Sequence, residues 1–387
     1  MALEEKLLHE VDPREVAGRD AISRFAAQFR AAAYMSLAIL QNGDIDCVFC
    51  DFHDDYVVRR KNGNSFFYDF YQVKTKGNPR YQWTQPDIYN IPRRGESDLK
   101  EIGESFAGKL LIHTIRFGKS CNAVIFQTNV QFNEHAFEIS EALKSGDSTQ
   151  KFAKLLFDKF GEIFPEAASL TELEMRACLA KFKVVLGCSI ADPDGINFLA
   201  LAKDAVYRYS EVELSYQEFV EISEKLLSLV QTKSLKKITE TTESELVDKA
   251  GITIYDLLEI LAISRAGYES LVSGGDVIAL RTASILHRKL KEAGASEDII
   301  DYLCKQKVLW DEWLRTKRHI LEEFDVNSLV AGLHDKAQTW ISSGGNLQKL
   351  FEDAENYSIT NTTSIKSGLT KDLVIGGILA DITRGQK

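Results

Sequence analysis

Gln72 and Lys74 stand two residues apart in FFYDFYQVKTK, residues 66–76, a run otherwise dominated by Phe, Tyr and Val. That composition, following the turn formers Asn62-Gly63-Asn64, predicts a β-strand. Strand alternation puts Gln72, Lys74 and Lys76 on one face and Tyr71, Val73 and Thr75 on the other. Lysines on so apolar a strand call for a negative partner. CVFCDFHDDYVV, residues 47–58, supplies Asp51, Asp54 and Asp55 on a strand or strand pair broken near His53. A hairpin through residues 61–64 sets Asp55 beside Gln72 and Lys74. One carboxylate, a second oxygen ligand and a lysine are the parts of a metal-dependent phosphodiesterase. Asp55 and Gln72 would hold a hard cation, Mg²⁺ or alternatively Mn²⁺, through oxygen. Lys74 would orient the attacking water or stabilise the anion. Asp54 and Asp51 are candidate outer ligands, although Asp54 and Asp55 also suit a plain turn.

The elements that must position these groups follow in order. Residues 18–40 read as a helix, with Ile22, Phe25, Phe29, Ala33, Leu37 and Leu40 at helical spacing. Asp20 in its first turn either serves the helix dipole or adds an acidic group near the metal. Residues 77–92 read as a loop in which Tyr81, Trp83 and Tyr89 interleave with Arg80. These residues either touch nucleic acid or pack the loop onto the domain. A helix over 97–118 and an apolar strand over 123–128 come next. Helices over 134–145, 149–160 and 170–181, a strand over 182–188, and helices over 196–209 and 216–230 complete the region. Helix, acidic strand, Q-x-K strand, helix and apolar strand are the order of a restriction-endonuclease-like α/β core, with a mixed sheet flanked by helices.

The whole chain bounds the function. Its 387 residues favour two or three domains, and 44% hydrophobic content suffices for real cores. A net charge of −10 argues against a protein that binds nucleic acid over its whole surface. The balance is local, however: residues 56–94 hold eight basic and two acidic side chains. Arg59, Arg60, Lys76 and Arg80 are the candidate DNA-backbone contacts, which makes binding salt-dependent. Cys47 and Cys50 form a C-x-x-C inside an apolar strand and read as core packing, in a reducing, cytoplasmic setting. The charged N-terminus does not read as a signal peptide, and no apolar run is long enough to span a membrane.

Residues 236–387 read as a separate all-α domain, with helices over 254–263, 276–293, 297–305, 310–324, 326–341 and 347–355. A Ser/Thr/Asn-rich linker is expected over 358–367. The apolar segment LVIGGILA, residues 373–380, reads equally as a docking element or as a closing core helix.

GRDAISRF with Gln28 downstream, the paired DD of CVFCDFHDDYVV, QVKTK and Trp83-Thr84 together resemble the endonuclease domain of CBASS effector nucleases. These are the CD-NTase-associated double-stranded DNA endonucleases of the PD-(D/E)XK superfamily. The resemblance covers the first 200 to 230 residues, within a nuclease domain drawn over 1–235. It implies that Asp55 is the metal carboxylate, that Gln72 takes the second acidic position and that Lys74 is the catalytic lysine. Asp51 stands where the family often has Glu. The implied activity is Mg²⁺-dependent cutting of double-stranded DNA in bacterial anti-phage defence. The short helical C-terminal domain resembles that of nucleases encoded beside HerA-like ring ATPases. It implies self-assembly into a homo-oligomer and a HerA-like partner. Two alternatives remain: a nuclease switched on by a cyclic oligonucleotide or other small ligand, and a non-catalytic assembly subunit.

Overall fold

The structure, a computed structural model, describes residues 16–384 apart from 42, 193, 211–214, 240–241 and 319. The chain divides into two units. One is Met1–Ala205 with Ser223–Ile254, and the other is Val206–Ile222 with Tyr255–Lys387. The boundary is thus discontinuous, where a single cut after residue 235 was expected, and residues 236–254 go with the first unit.

The first unit is the expected α/β core. Helix α1 (Val16–Ser36) has an alanine-rich stretch that favours helix, and Ala27, Ala31, Ala32 and Ala33 are buried on it. Strands β1 (Ile45–Phe52), β2 (Asp54–Asn62) and β3 (Ser65–Lys74) form an antiparallel meander. His53, at φ 66°, separates the first two strands. Gly63, at φ 59°, turns the chain into the third, in a left-handed conformation that costs glycine little.

Next come β4 (Gln82–Trp83), α2 (Gln85–Tyr89), α3 (Leu99–Gly103) and α4 (Phe106–Arg116). They lead to β5 (Cys121–Thr128), β6 (Gln131–Phe132), α5 (Glu134–Ser145), α6 (Lys151–Ile163), α7 (Glu172–Leu179) and β7 (Phe182–Val185). Helices α8 (Ile196–Ser210), α9 (Tyr216–Ser234) and α10 (Glu243–Ala250) precede β8 (Gly251–Ile252). The main sheet runs β7-β5-β3-β2-β1-β8, with β3, β5 and β7 parallel and the remaining pairs antiparallel. One sheet face, with Phe49, Val57, Phe70, Val124 and Phe126, makes a continuous apolar core with α2 to α7. The alternate residues Tyr56 and Tyr71 stack with ring centroids 4.5 Å apart, and α1 packs against β1, β2 and β3.

Local capping explains where the observed elements depart from expectation. The helix expected over 97–118 is two helices, because Ser105 turns its hydroxyl to the Gly108 N–H (3.0 Å) and starts α4 afresh. The expected loop over 77–92 contains β4 and α2. There Thr84 and Asp87 cap each other, and Pro86 fits the first helical turn.

The second unit is all-α, as expected. It contains α11 (Ile254–Ile260), which begins at the boundary, then α12 (Arg265–Ser273), α13 (Ala279–Glu292) and α14 (Glu297–Lys317). Helices α15 (Glu323–Ser342), α16 (Leu347–Thr360), α17 (Thr362–Ser367) and α18 (Lys371–Arg384) follow. The linker expected over 358–367 is helical. Asn361 accepts from the Ser364 N–H (2.8 Å) and so caps a new helix directly after α16. The apolar segment over 373–380 lies in α18, where Val374, Ile375, Ile378 and Leu379 are buried against α13 to α16. It is therefore a core helix. Gly376 lies against the Gln306 carbonyl and Trp310 so closely that a Cβ would have no room. Among the described residues no helix is long and apolar enough to cross a membrane.

Candidate active site

The β2–β3 register pairs Tyr56 with Tyr71. One step further along the ladder sets Asp55 across from Gln72. The Asp55 carboxylate is held by three groups. Its Oδ2 accepts from the Val73 N–H at 2.6 Å, its Oδ1 accepts from Gln28 Nε2 at 2.7 Å, and Lys74 Nζ lies 3.7 Å from Oδ2. Burial nonetheless pushes Asp55 up to about 6, because the charge of Lys74 and the Val73 N–H only partly offset it, and Asp54 and Asp51 add repulsion. Gln72 Oε1 is buried without a hydrogen-bond partner. The structure thus brings Asp55 and Lys74 together and leaves a buried, unpartnered amide oxygen two residues before Lys74 on β3.

A cleft of about 470 Å³ opens at this point. Arg24 and Gln28 line it from α1, Val73 to Lys76 from the end of β3, and Trp83, Asp87 and Phe106 from the far side. Lys74 Nζ sits 5.3 Å from the Phe106 ring centroid. Lys76 Nζ lies over Tyr81 (4.2 Å) and Trp83 (4.3 Å), so aromatic faces hold the ammonium in place. Asn129 clamps the Lys76 backbone from both sides: its Oδ1 accepts from the Lys76 N–H (3.0 Å) and its Nδ2 donates to the Lys76 carbonyl (2.9 Å). Trp83 is fixed in turn by donation from Nε1 to Thr128 Oγ1 (2.9 Å). Tyr81 and Trp83, left between nucleic-acid contact and packing, here form the wall that carries Lys76.

Several expected site residues go elsewhere. Asp54 does not join Asp55. The two are consecutive on β2, where strand alternation turns their side chains apart, and Asp54 Oδ2 meets His113 Nε2 of α4 at 3.1 Å. Asp51 is exposed and acts on Asp55 only through charge. The side chain of Asp20 lies outside the described residues. Arg59 is 7% exposed and engaged within the fold: it forks onto Asp46 (2.9 Å to each oxygen), reaches Glu243 of α10 (3.0 Å) and lies over the Phe66 ring (4.5 Å). Arg60 is likewise taken up, by Asp69 (2.6 Å) and Asp44 (2.9 Å). Both arginines are spent on tying the sheet together. Arg80 is exposed. Among the described residues no three His, Cys, Asp or Glu side chains converge as a metal ligand set.

Gln28 and Arg24 are the site residues that residue-by-residue reading did not assign. The available signal is their i, i+4 spacing, which puts two polar groups on one stripe of an otherwise Ala- and Phe-rich helix.

Residues 16–185 match the family model described as Cap4, dsDNA endonuclease domain. The matched stretch runs from the first residue of α1 to the last of β7, so the segment that builds the cleft is similar to a DNA endonuclease domain. No curated protein and no solved structure matches the chain.

Proposed function

We propose that this protein is a metal-dependent double-stranded DNA endonuclease of an anti-phage system, cutting at the cleft that Lys74 lines, with Asp55 and Gln72 as metal ligands at its edge. The observation that carries the reading is the Asp55–Lys74 pair beside the bare Gln72 oxygen, inside a segment similar to the Cap4 endonuclease domain.

The residues fit a divalent cation. Mg²⁺ is commonly held by one or two carboxylates, with waters and substrate phosphate completing its shell. Asp55 would provide the carboxylate and Gln72 the neutral oxygen, an orphaned acceptor that burial otherwise leaves at a cost of about 1–3 kcal/mol. Burial holds the Asp55 carboxyl up at about 6 despite Lys74, and a bound cation would add positive charge that favours its ionised form. Bound Mg²⁺ or Mn²⁺ would supply Lewis acidity at the scissile phosphate. Gln28 and the Val73 N–H fix both Asp55 oxygens. Lys74, steadied over Phe106, offers its ammonium to the charge that develops on the phosphate and orients the attacking water. Lys76, Arg24 and Arg80 would hold the DNA backbone.

Oligomer formation and a HerA-like ring ATPase as partner belong to the same proposal. They rest on the likeness of the architecture, a nuclease segment followed by a helical unit. Isothermal titration of Mn²⁺ into wild type, Asp55→Asn and Gln72→Ala tests the metal site. Binding lost in Asp55→Asn and weakened in Gln72→Ala supports it, and equal binding by all three removes it.

A further inference from the structure

We propose that the helical unit binds a small phosphate-bearing ligand of nucleotide size in a cavity bordered by α13, α14 and the C-terminal end of α18. The site is independent of the nuclease reading.

The cavity has a volume of about 810 Å³. Five cations line it, Arg281, Lys307, Arg315, Arg318 and Arg384, against two carboxylates, Asp276 and Asp311. A local excess of positive charge on a concave wall, in a chain of net charge −10, concentrates anions at that place. Both carboxylates are already engaged. Lys307, 7% exposed, bonds Asp276 and lies 2.8 Å from Asp311, which Arg384 also approaches at 3.6 Å. That buried core is a rigid floor. Arg315 and Arg318 form no ion pair among the described residues, and Arg315 donates only to the Gly274 carbonyl (3.0 Å). Exposed guanidinium groups along one wall suit phosphate oxygens, which they can bind through paired N–H donors.

The size and the apolar lining narrow the class. The volume falls in the range that holds drug-sized ligands and far exceeds one phosphate. Val277 (88% exposed), Ile278 and Leu314 offer an apolar side against which a planar base or similar body can lie. Phosphates on one side and an apolar body on the other describe a nucleoside phosphate. Its source is a free nucleotide, and the duplex arm of the experiment tests the phosphorylated end of a strand against it.

The experiment is isothermal titration of the full-length protein with ATP, inorganic tripolyphosphate and a short 5′-phosphorylated DNA duplex, run without divalent cation. The variants are Arg315→Gln/Arg318→Gln and a charge-matched control, Lys305→Gln/Lys366→Gln, outside the cavity. Val277→Asp serves as a second probe, since so exposed a position tolerates a carboxylate without unfolding. The expected result is ATP binding that falls at least tenfold in Arg315→Gln/Arg318→Gln and in Val277→Asp, with the control unchanged. Tripolyphosphate binding that tracks ATP identifies the phosphates as the recognised group. No binding of ATP or tripolyphosphate at millimolar concentration overturns the proposal, as does equal loss in the control. Binding of the duplex alone also overturns it, by making the cavity part of a nucleic-acid track.

Discussion

Ionised Asp55 destabilises the metal-free fold, so Asp55→Asn should stabilise the protein at neutral and alkaline pH. The carboxyl rises from 3.8 to about 6 on folding, chiefly through burial. About two units correspond to roughly 3 kcal/mol. The sign follows from proton binding. Between pH 4 and pH 6 the folded state keeps a proton that the unfolded state has released. Stability therefore falls as pH rises through that window and stays lowered above it. Asparagine removes the titration and keeps the contacts: its Oδ1 accepts from the Val73 N–H, and its Nδ2 meets the Gln28 Oε1 after an amide flip. Thermal melts in EDTA, wild type against Asp55→Asn, read the difference with all other titrating groups cancelled. The expected gain in melting temperature is near zero at pH 4. It rises to at most about 6 to 12 °C above pH 7, at roughly 2–4 °C per kcal/mol for a unit of this size. A difference independent of pH, or a variant less stable than wild type at pH 8, would refute the reasoning.

Arg59→Ala should cost roughly 1–2 kcal/mol of stability, because it removes a buried guanidinium and its pairs with Asp46 and Glu243, carboxylates that water can then solvate. The salt dependence of DNA binding should stay unchanged, as urea unfolding and fluorescence anisotropy will show. Lys76→Ala should do the reverse: little change in stability, weaker DNA binding, and a slope of log affinity against log salt reduced by about 1. Gly376→Ala should destabilise the helical unit by about 3 kcal/mol or more, since its new methyl meets the Gln306 carbonyl and Trp310. Unfolding followed through Trp310 and Trp313 fluorescence checks this.

Local sequence carried the strands of the site and their order. FFYDFYQVKTK is β-forming at seven of its eleven positions, and Asn62-Gly63-Asn64 permits one tight turn, so β2 and β3 and the nearness of Asp55 to Lys74 were legible. Partners distant in sequence were not. Arg59 is claimed by Glu243, 184 residues away, and Arg60 by Asp44 and Asp69, so a basic run became internal ion pairs. Nothing local distinguishes such arginines from DNA contacts. Asp54 and Asp55 are consecutive on β2, where strand alternation already turns neighbouring side chains apart, and the positive φ at Asp51 and His53 falls on residue types that tolerate it. β8 is two residues long and follows a helix, too short for any period-two pattern. The linker expected over 358–367 misled because serine, threonine and asparagine suit helix caps as well as loops, and Asn361 caps one.

Cleavage of supercoiled plasmid by wild type and Lys74→Ala, each with Mg²⁺ and with EDTA, tests the central claim most directly. Circular dichroism on the same samples establishes that both are folded. The account predicts cutting by wild type with Mg²⁺ alone, and none by Lys74→Ala under either condition. Cutting by folded Lys74→Ala at the wild-type rate, or wild-type cutting that persists in EDTA, would place the chemistry outside this cleft.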